Sequence, residues 1–184
     1  MKIVLLEPPL RYDGLQLATA FLDRHAPGEP DAAVLFTGEA DVPVAHLVDL
    51  EDAGRGAFIF SPLMAHMVIE HRGLPLPEAV WRQRVLVRLA ADWIAARSGV
   101  PVTVRGNDLF ARDGKLSVSV ATRSPRGALI HFGVNVDTEG TPVRTTGLRD
   151  LRIRPPEFLA ATARLYAAEL LHAAHAVSKV RPVP

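Results

Sequence analysis

The chain has 184 residues, 48% hydrophobic and 22% charged, with a formal net charge of +1 and no cysteine. That length and balance suit a globular protein with a sizeable core, and the small net charge gives no field favouring nucleic acid. The missing cysteines exclude disulfides, thiolate metal sites and a thiol nucleophile, and no apolar run approaches the roughly 18 residues of a membrane span.

A single domain over residues 1–184 in the cytoplasm, with no nucleic-acid or membrane partner, is the expectation. MKIVLLEPP is too short an apolar run for a signal peptide. KIVLLEP (2–8) reads as a first strand, stopped by Pro8 and Pro9. Asp13 and Gly14 open a predicted helix through Leu15, Leu17, Ala18, Phe21 and Leu22, with Asp13 as its N-cap, ending before the breaker-rich HAPGEP (25–30). AAVLF (32–36) and AHLVDL (45–50) read as short strands, and FIFSPLMAHMVIEH (58–71) as another, with an interruption at Pro62. After PLPEA, Trp81, Val85, Leu86, Leu89, Trp93 and Ala96 form one helical stripe, with both tryptophans in the core and a stop at Ser98-Gly99. PVTVRG, NDLFA, KLSVSVAT and ALIHFGVNV then form a strand-rich block, and an Ala/Leu-rich helix runs from Pro156 to about Val177. A strand block between two long helices favours an α+β fold, with helices on a mostly antiparallel sheet, over a doubly wound parallel one.

The block from 105 to 136 carries the chemistry. Lys115 is one of three lysines, and the other two, Lys2 and Lys179, lie near the chain ends. Asp113-Gly114 reads as a type I′ turn, which makes Lys115 the first residue of the returning strand. Alternation then sets Lys115, Ser117, Ser119 and Ala121 on one face and Leu116, Val118 and Val120 on the other. In the next strand Ile130, Phe132, Val134 and Val136 alternate with His131, Gly133 and Asn135. If the RSPRG turn centres on Pro125, Lys115 faces Asn135, Ser117 faces Gly133 and Ser119 faces His131. All six then share a side as a ligand floor, unless the register slips by one; a solvated sheet face accounts for the same pattern.

RGNDLFARDGKLS resembles the central motif of biotin and lipoate protein ligases, where a basic residue, Asn-Asp and an apolar pair precede a turn ending in Gly and Lys. HFGVNV resembles their following Gly-x-Asn strand. YDGLQL, FTGEADV, the GNDL–KLSVSVAT run and IHFGVNVDTEGTPV are similar, over most of the chain, to the domain of unknown function 366 family, which is related to that ligase fold. The resemblance implies a mixed, largely antiparallel sheet backed by helices. It implies Lys115 as the catalytic residue, contacting acyl carbonyl and phosphate oxygens of an acyl-adenylate. A compact ammonium suits that role better than a guanidinium fork. Arg105, Gly106, Asn107 and Asp108 would surround the nucleotide, Gly133 and Asn135 would form the Gly-x-Asn strand, and Gln16 or Tyr12 would line the pocket beside Ser117, Ser119 and His131.

The activity implied is that of an acyl ligase or acyltransferase on a lipoate-, octanoate- or biotin-like carboxylic acid, with ATP and Mg²⁺ as cofactors and an acceptor protein as partner. The alternative is a binding module that kept the pocket and lost acyl activation. It is motivated by FTGEADVP (36–43), acidic where the ligases have a Gly- and Arg-rich loop, by Val118 in place of a glycine, and by the absent cysteine of octanoyl-transferring relatives. The acidic residues Glu39, Asp41, Asp49, Glu51 and Asp52 are the candidates for magnesium. His66, Glu70 and His71 in HMVIEH do not suit one metal ion, because on a strand His66 and Glu70 lie more than about 10 Å apart. His172 and His175 read as helix-surface residues.

Overall fold

Two strands long enough to span a whole sheet organise the molecule. In the computed structural model, which describes residues 1–183, these are β2 (Asp31–Val42) and β3 (Ile59–Arg72). With β1 (Lys2–Leu5), β7 (Ser117–Ser124) and β8 (Gly127–Asp137) they form a five-stranded sheet ordered β1-β2-β3-β8-β7. Only β1 and β2 run parallel; the other neighbours are antiparallel. A three-stranded sheet of β4 (Thr103–Arg105), β5 (Asp108–Ala111) and β6 (Gly114–Lys115) sits beside it. The helices are α1 (Thr19–His25), α2 (Leu50–Gly54), α3 (Leu76–Ser98) and α4 (Pro155–Ser178). This is the expected α+β architecture, a mixed and largely antiparallel sheet backed by helices.

Strand alternation divides the large sheet into two differently used faces. Ala33, Leu35, Met67, Ile69, Ile130, Phe132 and Val134 point to α3 and α4 and form the main core with Leu86, Ile94, Phe158 and Tyr166. Each fully buried Leu or Ile stabilises the fold by about 1.5–3 kcal/mol. Val34, Phe36, Val68 and Leu129 point the other way, toward Tyr12, Phe21 and Leu22. This second face is only partly covered, and the cavity lies there.

Several local expectations are corrected. Residues 13–18 form turns and α1 begins at Thr19, after an Ala18 N-cap with no side-chain bond; Asp13 instead accepts a bond from the Leu15 N–H. AHLVDL is not a strand but a 3-10 turn (Val44–His46) leading into α2, whose N-cap Asp49 accepts from the Glu51 and Asp52 N–H groups. β3 continues through Pro62, because ladder irregularities at Gly38/Ala40 and Leu63/Met64 spare the missing donor. The buried stripe of α3 is Ala79, Gln83, Leu86, Val87, Ala90, Ala91 and Ile94, rotated from the predicted one. Trp81 is 70% exposed. Small alanines let the helix approach the sheet closely, and Gln83 is satisfied there by donating to Ser119 Oγ at 2.7 Å.

Candidate functional site

The two hairpin registers decide which side chains reach the cavity. The first turn is centred on Arg112 and Asp113, both at positive φ (46° and 62°), so Ala111 pairs with Gly114 and Phe110 with Lys115. The turn lies one residue earlier than the Asp-Gly signal suggests. Gly114 is needed for another reason: a Cβ there would lie 2.5 Å from the Thr145 carbonyl carbon and 2.4 Å from Thr146 Oγ1. The chain behind Lys115 is thereby threaded against residues 144–146, with the Lys115 N–H donating to the Arg144 carbonyl at 2.9 Å.

The second hairpin pairs Ser124 with Gly127, so its loop is the two residues Pro125-Arg126 and not a turn centred on Pro125. The register therefore shifts by one: Val118 faces Gly133, Ser119 faces Phe132 and Val120 faces His131. This turns the Ser117 and Ser119 hydroxyls away from the cavity floor, while Ser119 itself still borders the cavity. Ser117 is fully buried and its Oγ accepts from the Leu109 N–H, while Ser119 Oγ donates to the His131 carbonyl and accepts from Gln83 on α3. Val118 and Val120 take their places in the wall.

The resulting cavity has a volume of about 470 Å³, within the range of small-molecule sites. Its neck is polar. Lys115 Nζ sits 2.8 Å from Asp108 Oδ2, with both side chains partly buried. Asn107 Nδ2 donates to the Ser119 carbonyl at 2.5 Å, and Asn135 Nδ2 donates to the Lys115 carbonyl at 3.2 Å. All four residues line the cavity. Leu17, Val42, Ile59, Met64, Val118 and Val120 make the walls apolar. The outer rim comes from the Val48–Ile59 stretch, including Asp49, Asp52 and Arg55, and from Thr141, Pro142 and Val143.

At the inner end lies an aromatic stack that sequence reading only partly identified. Tyr12 covers His131, with ring centroids 4.0 Å apart and planes 10° apart, and His66 lies between Tyr12 and Phe36 at 5.0 and 4.8 Å. The sequence pattern marks His131 but not its partner His66, whose neighbours in the stack all lie on other segments of the chain. Gly133 makes room for the stack: a Cβ there would meet Met64 Cε at 3.1 Å and His131 Cε1 at 3.2 Å. Burial pushes His66 down to about 4 and holds His131 well below its ordinary range, with further lowering from His66. Burial, and then the charge of Asp13, raises the Tyr12 hydroxyl.

The remaining candidates lie elsewhere. Arg105 is exposed, with its guanidinium 4.7 Å over the Phe110 ring, and Gly106 turns the chain at φ 65° in open space. Gln16 closes its own loop, accepting from the Asp13 N–H and donating to the Arg11 carbonyl. None of the three lines the cavity. Most of the acidic stretch is committed: Glu39 and Asp41 pair with Arg11, Asp49 caps α2 and Glu51 pairs with Arg55. Among the described residues, no group of three or more His, Asp or Glu side chains is placed to hold a metal ion. In HMVIEH, His66 joins the stack, Glu70 binds Arg126 and His71 binds the Tyr166 hydroxyl. His172 is exposed, 3.8 Å from Glu169.

A mixed, mostly antiparallel sheet backed by helices is the fold of biotin and lipoate protein ligase catalytic domains. A structure of biotin protein ligase from Aquifex aeolicus, in complex with biotin and ATP, superposes with a TM-score of 0.58 at 14% identity, over 92% of this chain and 70% of that one. The lipoic-acid-bound structure of a T. acidophilum protein provisionally assigned as a lipoate protein ligase gives 0.61 at 13% identity, over 93% and 86%. The chain itself belongs to the domain of unknown function family DUF366, whose model matches residues 1–181. A protein of unknown function from Pyrococcus horikoshi shares 31% identity and superposes with a TM-score of 0.94 over the whole of both chains.

Proposed function

We propose that the cavity binds a small carboxylic acid with its carboxyl end at Lys115, and that the protein acts on it as an acyl ligase or acyltransferase. The observation that carries this reading is the Lys115 ammonium, which lines the cavity and is held there by Asp108. A preorganised ammonium favours the extra negative charge that develops on a carbonyl or phosphoryl oxygen in a transition state. Asn107 and Asn135 fix the two chain segments around it, so the ammonium does not reorganise when ligand enters. The apolar walls suit an acyl or ring body, and the bound biotin, lipoic acid and ATP of the structural neighbours fit the same class.

In an adenylating reaction a carboxylate oxygen would attack the α-phosphorus of ATP, pyrophosphate would leave, and Lys115 would lie against the acyl and phosphoryl oxygens. Asp52 is the one acidic rim residue with neither a paired cation nor a capping role. A lone carboxylate does not make a magnesium cage, so no step here runs through a metal. The acidic rim also supports a second reading, a binding module that keeps the acid and does not activate it. Exchange of labelled pyrophosphate into ATP, measured with lipoate, octanoate and biotin in turn, separates the two. Acid-dependent exchange that is lost in Lys115→Ala supports the ligase. Binding of an acid with neither exchange nor acyl transfer from an acyl thioester donor supports the module, and exchange undiminished in Lys115→Ala removes the role of the lysine.

A further inference from the structure

The inner end of the cavity holds two polar groups that the protein leaves without partners, and their protonation follows from the hydrogen-bond chain. His66 Nε2 lies 3.2 Å from the Gly38 carbonyl, which can only accept, so Nε2 carries the proton. The neutral His66 ring therefore presents a bare Nδ1, which lies 3.2 Å from His131 Nε2. His131 must donate there, which puts its proton on Nε2 and leaves His131 Nδ1 as an acceptor. Nothing among the described residues donates to that nitrogen. It is not one of the sealed, unpartnered polar atoms, which are Arg72 Nε, Arg126 Nε and Thr162 Oγ1. Since His131 lines the cavity, its Nδ1 opens there. The Tyr12 hydroxyl, on the ring stacked over it, is likewise unpartnered and unsealed.

We infer that His131 is a specificity-determining residue whose Nδ1 accepts an N–H or O–H from the ligand. The substrate class is then an elongated carboxylic acid with a hydrogen-bond donor at the end remote from its carboxyl group, not a saturated acyl chain. His66 acts as a positioning residue, with Gly38 setting its tautomer. The inner-end argument stands on the imidazole chain alone; only the placement of the carboxyl group rests on the reading proposed above. Asn135, beside Lys115, and His131 lie on the same face of β8 four residues apart, about 13 Å at strand rise. That separation matches an acid of about eight chain atoms. A methyl group at the inner end would leave the His131 acceptor dry against Val120, and an acceptor buried without a donor is the strongest basis for rejecting an otherwise matching ligand.

The test compares 8-hydroxyoctanoate with octanoate by calorimetry on the wild-type protein and on His131→Phe, which keeps a ring against Tyr12. The hydroxy acid is expected to bind at least ~10-fold more tightly to the wild type, with the preference falling to within about twofold in the variant. Equal binding of the two acids to wild type overturns the inference while leaving the carboxylate reading intact. If neither acid binds, the inference is decided by imidazolidin-2-one against cyclopentanone, rings of similar size with and without N–H donors. Equal or absent binding of that pair overturns it. If His131→Phe does not fold, nitrogen-15 resonances of the wild-type imidazoles at pH 7 replace it: a bare His131 Nδ1 that shifts on adding the donor probe supports the inference, and a protonated or unresponsive Nδ1 overturns it.

Discussion

Lowering the pH should destabilise the fold before its carboxylates begin to titrate, because the inner end of the cavity holds buried neutral imidazoles. His66 is held near 4 in the folded protein, against about 6.5 in an unfolded chain. Between those values the unfolded state binds a proton that the folded state refuses, so stability rises with pH across the window and is lost as pH falls from about 6.5 toward 4. Going from pH 7 to pH 5, His66 alone removes about 2 kcal/mol. His131 is shifted in the same direction by burial and by His66, and adds to the loss. Glu70, whose carboxyl is lowered on balance, with Thr19 and Arg126 outweighing burial, keeps its contribution until the pH falls below about 4.5. Urea unfolding followed by tryptophan fluorescence at pH 5, 6 and 7 measures the slope. His66→Gln is expected to flatten it by about 1 kcal/mol per pH unit. An unchanged slope in that variant, or a wild-type protein equally stable at pH 7 and pH 5, would refute the buried neutral pair.

Three further substitutions probe the frame around the site. Arg126 binds Glu70 at 2.6 Å and both oxygens of Asp23 at 2.9 Å, tying the β7–β8 turn to α1; Arg126→Ala leaves the Glu70 carboxylate with Thr19 but without its cation and should lower the urea midpoint. Gly38→Ala places a methyl group 1.9 Å from the Leu10 carbonyl oxygen, a backbone clash that should exceed the roughly 1–3 kcal/mol of ordinary overpacking and lower the thermal midpoint accordingly. Leu86→Ala, in the fully buried stripe of α3, should cost about 2–5 kcal/mol with the denaturant midpoint shifted and ligand affinity unchanged, since Leu86 does not line the cavity.

The sequence showed the fold more readily than the side-chain map of the site. Both long helices and the strand block follow from periodicity and turn residues, which are local signals. Ser117 and Ser119 were misplaced because a serine does not reveal its face. Their hydroxyls are satisfied in the core by the Leu109 N–H and by Gln83, partners that lie in other elements. A loop of two residues instead of one centred on Pro125 then inverted every assignment on β7. Trp81 extended an apparent apolar stripe, while the true one adds Ala79, Gln83, Ala90 and Ala91 to Leu86, Val87 and Ile94, and alanine and glutamine carry little hydropathy signal. Tyr12, His66 and His131 are 54 and 65 residues apart in sequence, and only the pairing of β2, β3 and β8 stacks them.

The central claim is that Lys115 receives the carboxyl group of a small acid. Calorimetric titration of lipoate, octanoate, biotin and 8-hydroxyoctanoate into the wild-type protein and into Lys115→Met, which keeps the aliphatic stem and removes the charge, tests it most directly. At least one acid should bind the wild type and bind the variant ~10-fold or more weakly, as loss of a charge-assisted hydrogen bond requires. Equal affinity for both proteins, or no acid bound by either, would contradict it.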